Sequence, residues 1–216
     1  MQQLPDYYKQ NDLVYCIATQ CAPLICGVKI SNLLIVENIE FDNISHIFEN
    51  TSIVIHKLYM DESKSILLLY NYKEVESYLN EKSISQFMKA QGYNTLKIED
   101  ILYNISKRFK NFKDNKENKD NKDSKADKAE FPHELGIILG YPIWDVIGFI
   151  KNKGGNSLYT GYWKVYKNLE QANETFLKYE KAKETVVKNV RKGIPFYPTT
   201  LPNTLSAESF GISMGE

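Results

Sequence analysis

The sequence predicts an α+β domain: a small, mostly antiparallel sheet around a central β-hairpin, packed by several helices. Two apolar runs, "SIVIHKLYM" and "SILLLYNY", flank the short polar connection "DESK", which is the pattern of a hairpin. Downstream, the apolar residues change from strand spacing to helical spacing. The chain has 216 residues, 43% of them hydrophobic, enough for one core of ordinary size.

The elements follow in order. Asp12 to Thr19 reads as a short helix, and Pro23 in "QCAPLICGVK" suits the first position of another, where a missing N–H does no harm. "SNLLIVE" (Ser31–Glu37) is a β-branched, apolar run and reads as a strand; "FDNISHIFEN" reads as a short helix or loop. In the first hairpin strand Ile53, Ile55 and Lys57 point one way, and Val54, His56 and Leu58 the other. The second is apolar on both faces from Ile66 to Leu69, so the sheet should be covered on both sides.

Helices then take over. "YKEVESYLN" places Val75, Tyr78 and Leu79 on one stripe, "SISQFMKAQGY" offers Ser83 or Ser85 as a cap and Gly92 as a stop, and Ile98, Ile101, Leu102, Ile105 and Phe109 share a helical face. Residues 111–130 form a charged insert of mixed Lys, Asp and Asn that cannot drive collapse and reads as disordered or a solvated helix. It interrupts a single domain whose parts span 1–110 and 131–193. "SLYTGYWKVY" is an aromatic-rich strand candidate. Asn168 and Gln171 have capping-box spacing before a long stripe of Leu169, Ala172, Phe176, Tyr179, Val186, Val187 and Val190, which Gly193 ends. Residues 194–216 read as a flexible tail.

Charge excludes some functions. Basic and acidic residues balance at 27 each, so no global field favours nucleic acid or an anionic membrane. No basic, apolar leader opens the sequence and no apolar run approaches a membrane span; a cytoplasmic protein is expected. Cys16, Cys21 and Cys26 are odd in number and evenly spaced, which fits neither a disulfide framework nor a zinc site. No metal is expected, and no cofactor can be named.

The stretch "FPHELGIILGYPIWDVIGFIKNKGG" holds most of the chemistry. Pro132 and Glu134 suit a helix start, Gly140 a stop, and Tyr141–Pro142 a second start before the stripe Ile143, Val146, Ile147 and Ile150. The spacing of Gly136, Gly140 and Val146 resembles a helix-turn-helix, yet the second helix leads with Ile143, Trp144 and Asp145, and an acid facing phosphates repels them. A packed helical hairpin is the favoured reading, and nucleic acid binding is not expected.

His133 near a helix N-terminus should stay neutral, free to act as a base or to fill a structural role. Cys21, placed before a helix opened by Pro23, would have its thiolate stabilised by the dipole. A Cys21 nucleophile with His133 as base is therefore one candidate catalytic pair. Tyr162, Trp163 and Lys164 could line a ligand pocket or a partner surface.

Taken together, "QCAPLICGVKISNLL" and "FPHELGIILGYPIWDVIGFIKNKG…YTGYWKVY" resemble an uncharacterised clostridial (Firmicutes) domain-of-unknown-function family with Cys-x-Pro, Phe-Pro-His-Glu, Leu-Gly-Tyr-Pro and Trp-Lys-Val-Tyr blocks. The resemblance falls on Cys21, Pro23, Lys29, His133, Glu134, Tyr141, Pro142, Asp145, Gly148, Trp163 and Lys164. Members often carry His before the Cys, where this chain has Gln20. Some are encoded near flavodoxin-like proteins, so the resemblance implies redox or iron-linked physiology, an anaerobic host and a flavodoxin-like partner.

The expected function is that of a cytoplasmic ligand- or partner-binding protein. Its site is expected where the Cys21 segment, the His133 turn and the Trp163 strand converge, with Lys29, Glu134, Tyr141, Trp163 and Lys164 as ligand-binding residues. The alternatives are a thiol-dependent enzyme or redox accessory using Cys21 and His133, and a helix-turn-helix DNA-binding regulator.

Overall fold

A computed structural model describes residues 6–117 and 130–194. The chain runs through α1 (Asp6–Ile25), β1 (Ser31–Glu37), a short 3-10 turn, α2 (Phe41–Phe48), β2 (Ile53–Met60), β3 (Lys64–Asn71), α3 (Tyr72–Asn80), α4 (Lys82–Ala90) and α5 (Ile98–Glu117). After the insert come α6 (Leu135–Ile138), α7 (Ile143–Lys151), the two-residue strands β4 (Tyr159–Thr160) and β5 (Lys164–Val165), and α8 (Leu169–Arg191). This is the α+β architecture the sequence predicts.

The main sheet has the order β1-β3-β2, antiparallel throughout, with the apolar strand β3 at its centre. Its alternation serves two cores. Leu68 and Tyr70 face a cluster built from α3, α4, α5, α6 and α7, including Val75, Met88, Ile101 and Ile137. Leu67 and Leu69 face α1, α2 and α8 through Ile17, Ile44 and Val186. Chain from before and after the insert therefore packs into the same clusters. In β2 the alternation holds until a register shift between Lys57 and Tyr59, after which Leu58 and Tyr59 are both buried.

Strand β1 lies at the sheet edge, and side chains occupy part of its outward polar groups. The Gln20 side chain accepts from the Ile35 N–H at 3.1 Å and donates to the Ile35 carbonyl at 3.4 Å. The Asn32 amide donates to the Leu33 carbonyl at 2.8 Å. Two side-chain amides thus stand in for a missing neighbouring strand.

Several local expectations are corrected. α1 is one helix running through Pro23 to Ile25; Pro23 sits in the last turn, where it costs one N–H bond and little helix follows to be kinked. Gly27, at φ +68, ends it, and the N–H groups of Val28 and Lys29 return to the Pro23 carbonyl at 2.9 and 3.1 Å. α4 begins at Lys82 after Glu81, so neither Ser83 nor Ser85 caps it. Asn168 makes no side-chain cap; it takes the left-handed conformation at φ 53, which turns the chain out of the β4–β5 hairpin. Leu169 is exposed, while Ala172, Phe176, Tyr179, Ala182 and Val186 carry the buried stripe. α5 continues to Glu117, so the first part of the charged insert is helical. The rest of the insert and residues 195–216 lie outside the described residues.

Candidate functional site

The turn after α1 carries Lys29 back toward the sheet edge, where its side chain is buried, 8% exposed. Its ammonium donates to Asn32 Oδ1 at 2.7 Å and lies 5.6 Å from the ring centre of Tyr141 and 5.9 Å from that of Tyr179. No carboxylate pairs with it among the described residues. Burial outweighs its surroundings and pulls the Lys29 pKa down to about 8.

Asn32 organises this end of the molecule. Its amide nitrogen donates to the Gln20 carbonyl at 2.6 Å and points at Cys21 Sγ at 3.8 Å. Cys21 is wholly buried. It lies in the C-terminal part of α1 rather than at a helix start, so the dipole opposes a thiolate there. Burial pushes its pKa up to about 12, against smaller opposing effects of Asn32 and Lys29. The group is a thiol, and it leaves the Lys29 charge uncompensated.

Tyr141 links Lys29 to the aromatic hairpin. Its ring stacks on Trp163 at 5.3 Å with planes 30° apart, and its carbonyl accepts from the Tyr78 hydroxyl at 2.9 Å. Trp163 also meets Phe176 edge-on at 4.5 Å. The indole is held by Asp145 in the first turn of α7: Trp163 Nε1 donates to Oδ2 at 2.8 Å, while Oδ1 accepts from the Tyr166 and Lys167 N–H groups at 2.7 and 3.1 Å. A buried carboxylate with this many donors is well compensated. Asp145, one of the leading residues of α7, is therefore spent on internal contacts, and α6 is only four residues long.

A cleft of about 100 Å³ opens beside this cluster, with Pro142 and Trp144, Gln171 and Thr175 among its walls; it shares Trp163 and Tyr179 with the Lys29 surroundings, while Lys29, Asn32 and Tyr141 are not among its walls. Close approach of backbone shapes the region. A β-carbon at Gly148 would meet Tyr166 Cγ at 2.5 Å, and one at Gly161 would overlap the Phe176 ring.

The predicted residues separate into groups. Cys21, Lys29, Tyr141 and Trp163 converge through Asn32 and the aromatic stack. His133 belongs elsewhere: its half-buried ring sits between Phe131 and Phe149, 5.6 and 5.5 Å away. Burial lowers its pKa, against smaller opposing effects of Glu130 and Glu134. No hydrogen bond joins it to Cys21 among the described residues, so the expected nucleophile–base pair is not formed. Glu134, fully buried, accepts from the Tyr93 hydroxyl at 2.7 Å and pairs with the Arg108 guanidinium, tying the His133 turn to α5. Lys164 turns to the Gly154 carbonyl and is also outside the group around Lys29.

Asn32, Tyr179 and Arg108 escaped the sequence reading. A polar residue near the start of an apolar strand marked Asn32, but nothing local said what its amide would bind. Tyr179 looked like one more member of an apolar stripe.

Among the described residues no helix is long and apolar enough to cross a membrane, and no group of three or more His, Cys, Asp or Glu side chains is arranged to hold a metal. No curated protein and no solved structure matches the chain. One family model does, described as a protein of unknown function (DUF3793), over residues 17–198. That span contains α1 from Ile17 onward, the whole sheet and every residue of the Lys29 recess: the chain belongs to the DUF3793 family.

Proposed function

We propose that this protein binds a small ligand, or the tip of a partner's side chain, at the recess around Lys29, Asn32, Tyr141, Trp163 and Tyr179. The observation that carries the reading is the buried, unpaired ammonium of Lys29. Holding a cation away from water without a counter-charge is costly, and polarised aromatic faces offset only part of that cost. An arrangement of this kind is more readily explained by a missing partner than by stability alone. The aromatic walls and the adjoining cleft suit a ligand with an apolar body and one polar end.

The proposal extends to the setting. Three free cysteines suit a reducing compartment, and we place the protein in the cytoplasm of an anaerobic bacterium, with redox physiology and a flavodoxin-like partner as the wider context. The thiol-enzyme alternative draws little support from a buried Cys21 with a raised pKa.

Saturation-transfer NMR of the full-length protein against a mixed set of small acids, amines, sugars and neutral amides tests the reading. A compound bound by the wild type and weakened by both Lys29→Met and Tyr179→Ala supports it. Binding that ignores both substitutions, or no binding by any class, removes it.

A further inference from the structure

The donors around Lys29 outnumber the acceptors. A lysine ammonium has three N–H donors, and the structure gives Lys29 one hydrogen-bond acceptor, Asn32 Oδ1. The second face of Asn32 is already spent, since its amide nitrogen serves Gln20, Leu33 and Cys21. The phenol of Tyr78 is satisfied by the Tyr141 carbonyl. Those of Tyr141 and Tyr179, whose rings flank Lys29, have no hydrogen-bond partner among the described residues. Tyr179 is only 5% exposed and also lines the cleft. Its phenol senses those of Tyr141 and Tyr78, and burial raises its pKa, so it remains a donor at neutral pH.

A buried cation, two further N–H donors and two unpartnered phenols, with no acidic side chain to receive them, describe half of an ion pair. We infer that the recess takes the carboxylate head of a small organic acid, whose oxygens accept from Lys29 Nζ and from the Tyr141 and Tyr179 hydroxyls. This rests on the recess being a binding site, as proposed above, and adds the chemical class. One ammonium balances one negative charge. A phosphate monoester carries close to two at neutral pH, and would leave an excess negative charge beside a single buried ammonium. The planar carboxylate is the better match.

Propionate, its near-isosteric neutral amide propionamide, and inorganic phosphate separate the possibilities when each is titrated into the full-length protein and followed by amide and tyrosine NMR shifts. Propionate should bind, propionamide and phosphate should not, and Lys29→Met should weaken propionate binding roughly tenfold or more, the size of a lost charge-assisted hydrogen bond. Tyr179→Phe, which removes only the hydroxyl and keeps the ring beside Lys29, should weaken it as well, by a smaller factor than Lys29→Met. Equal binding of acid and amide, binding of phosphate instead, undiminished binding by Lys29→Met, or no response to propionate or to a larger aromatic acid such as phenylacetate overturns the inference. If neutral compounds alone bind the recess, the binding function survives and the carboxylate assignment falls.

Discussion

Lys29 Nζ donates to Asn32 Oδ1 at 2.7 Å, while the nitrogen of the same amide holds the Gln20 carbonyl at 2.6 Å. One neutral side chain therefore anchors a buried cation to the end of α1 and to the edge of the sheet. The charge is positioned but not neutralised, and several measurable consequences follow.

The contribution of Lys29 to stability should rise with pH across its titration. Its folded pKa is lowered to about 8 from 10.5. Between those values the unfolded chain binds the extra proton, so folding is penalised at low pH and the penalty fades as pH rises. The full effect is about 3 kcal/mol, to order of magnitude. Above pH 9 the buried thiols of Cys21 and Cys26, whose pKa values are raised to about 12 and about 11, act the other way, so the test is a difference. In urea unfolding from pH 7 to 10.5 the wild type should gain on Lys29→Met, which should be no less stable at pH 7, and two parallel profiles contradict the assignment.

Cys21 should be the slowest thiol to alkylate. It is wholly buried and its pKa is raised to about 12, whereas Cys16 is partly exposed. Iodoacetamide labelling of the native protein at pH 7.5, a pH chosen near neutrality where ordinary thiols react, should modify Cys16 first by peptide mass mapping. Preferential labelling of Cys21 would revive the thiol-enzyme alternative.

The Arg108–Glu134 pair should respond asymmetrically. Arg108 keeps 38% of its side chain exposed and Glu134 none. Removing the acid lets the guanidinium rehydrate; removing the base strands a buried carboxylate. Arg108→Met should therefore destabilise by roughly 3 kcal/mol, and Glu134→Gln by clearly less. Equal losses in denaturant titrations would show that the carboxylate finds another partner.

Two glycines should resist any side chain. Ala at Gly148 or Gly161 would press on Tyr166 or Phe176 and should cost about 1–3 kcal/mol through overpacking. Gly27→Ala meets no neighbouring atom within 4 Å, so its cost should be only that of the left-handed backbone, about 1 kcal/mol. Thermal melts of the three variants give the comparison.

The parts of the fold readable in the sequence are those fixed by local periodicity. Ile66 to Leu69 announced a strand covered on both faces, and Ile98, Ile101, Leu102, Ile105 and Phe109 announced a helix with one buried stripe; all are buried except Ile66, which is partly buried. Pro23 misled because its propensity is positional: the same residue suits a first turn or a last one, and only the packing of α1 on α8 decides. The site was half legible. Lys29, Cys21, Tyr141 and Trp163 stood out by chemistry, but their meeting depends on Asn32 and Tyr179, residues far apart in sequence whose roles arise only when the sheet edge and α8 come together. His133 stood out equally and went to a different cluster, because proximity to a distinctive motif says nothing about which core a side chain enters.

The most direct test of the central claim is a pH titration of the Lys29 side chain, followed by NMR of protein carrying ¹³C at the lysine Cε, with Lys29→Arg assigning the signal, in the absence and presence of propionate. The account predicts an inflection near 8 in the free protein, as its burial implies, moving upward when the acid is present. A Lys29 that titrates at the ordinary value of 10.5 and ignores the acid would mean that its charge is already satisfied, and the recess would have no call for a ligand.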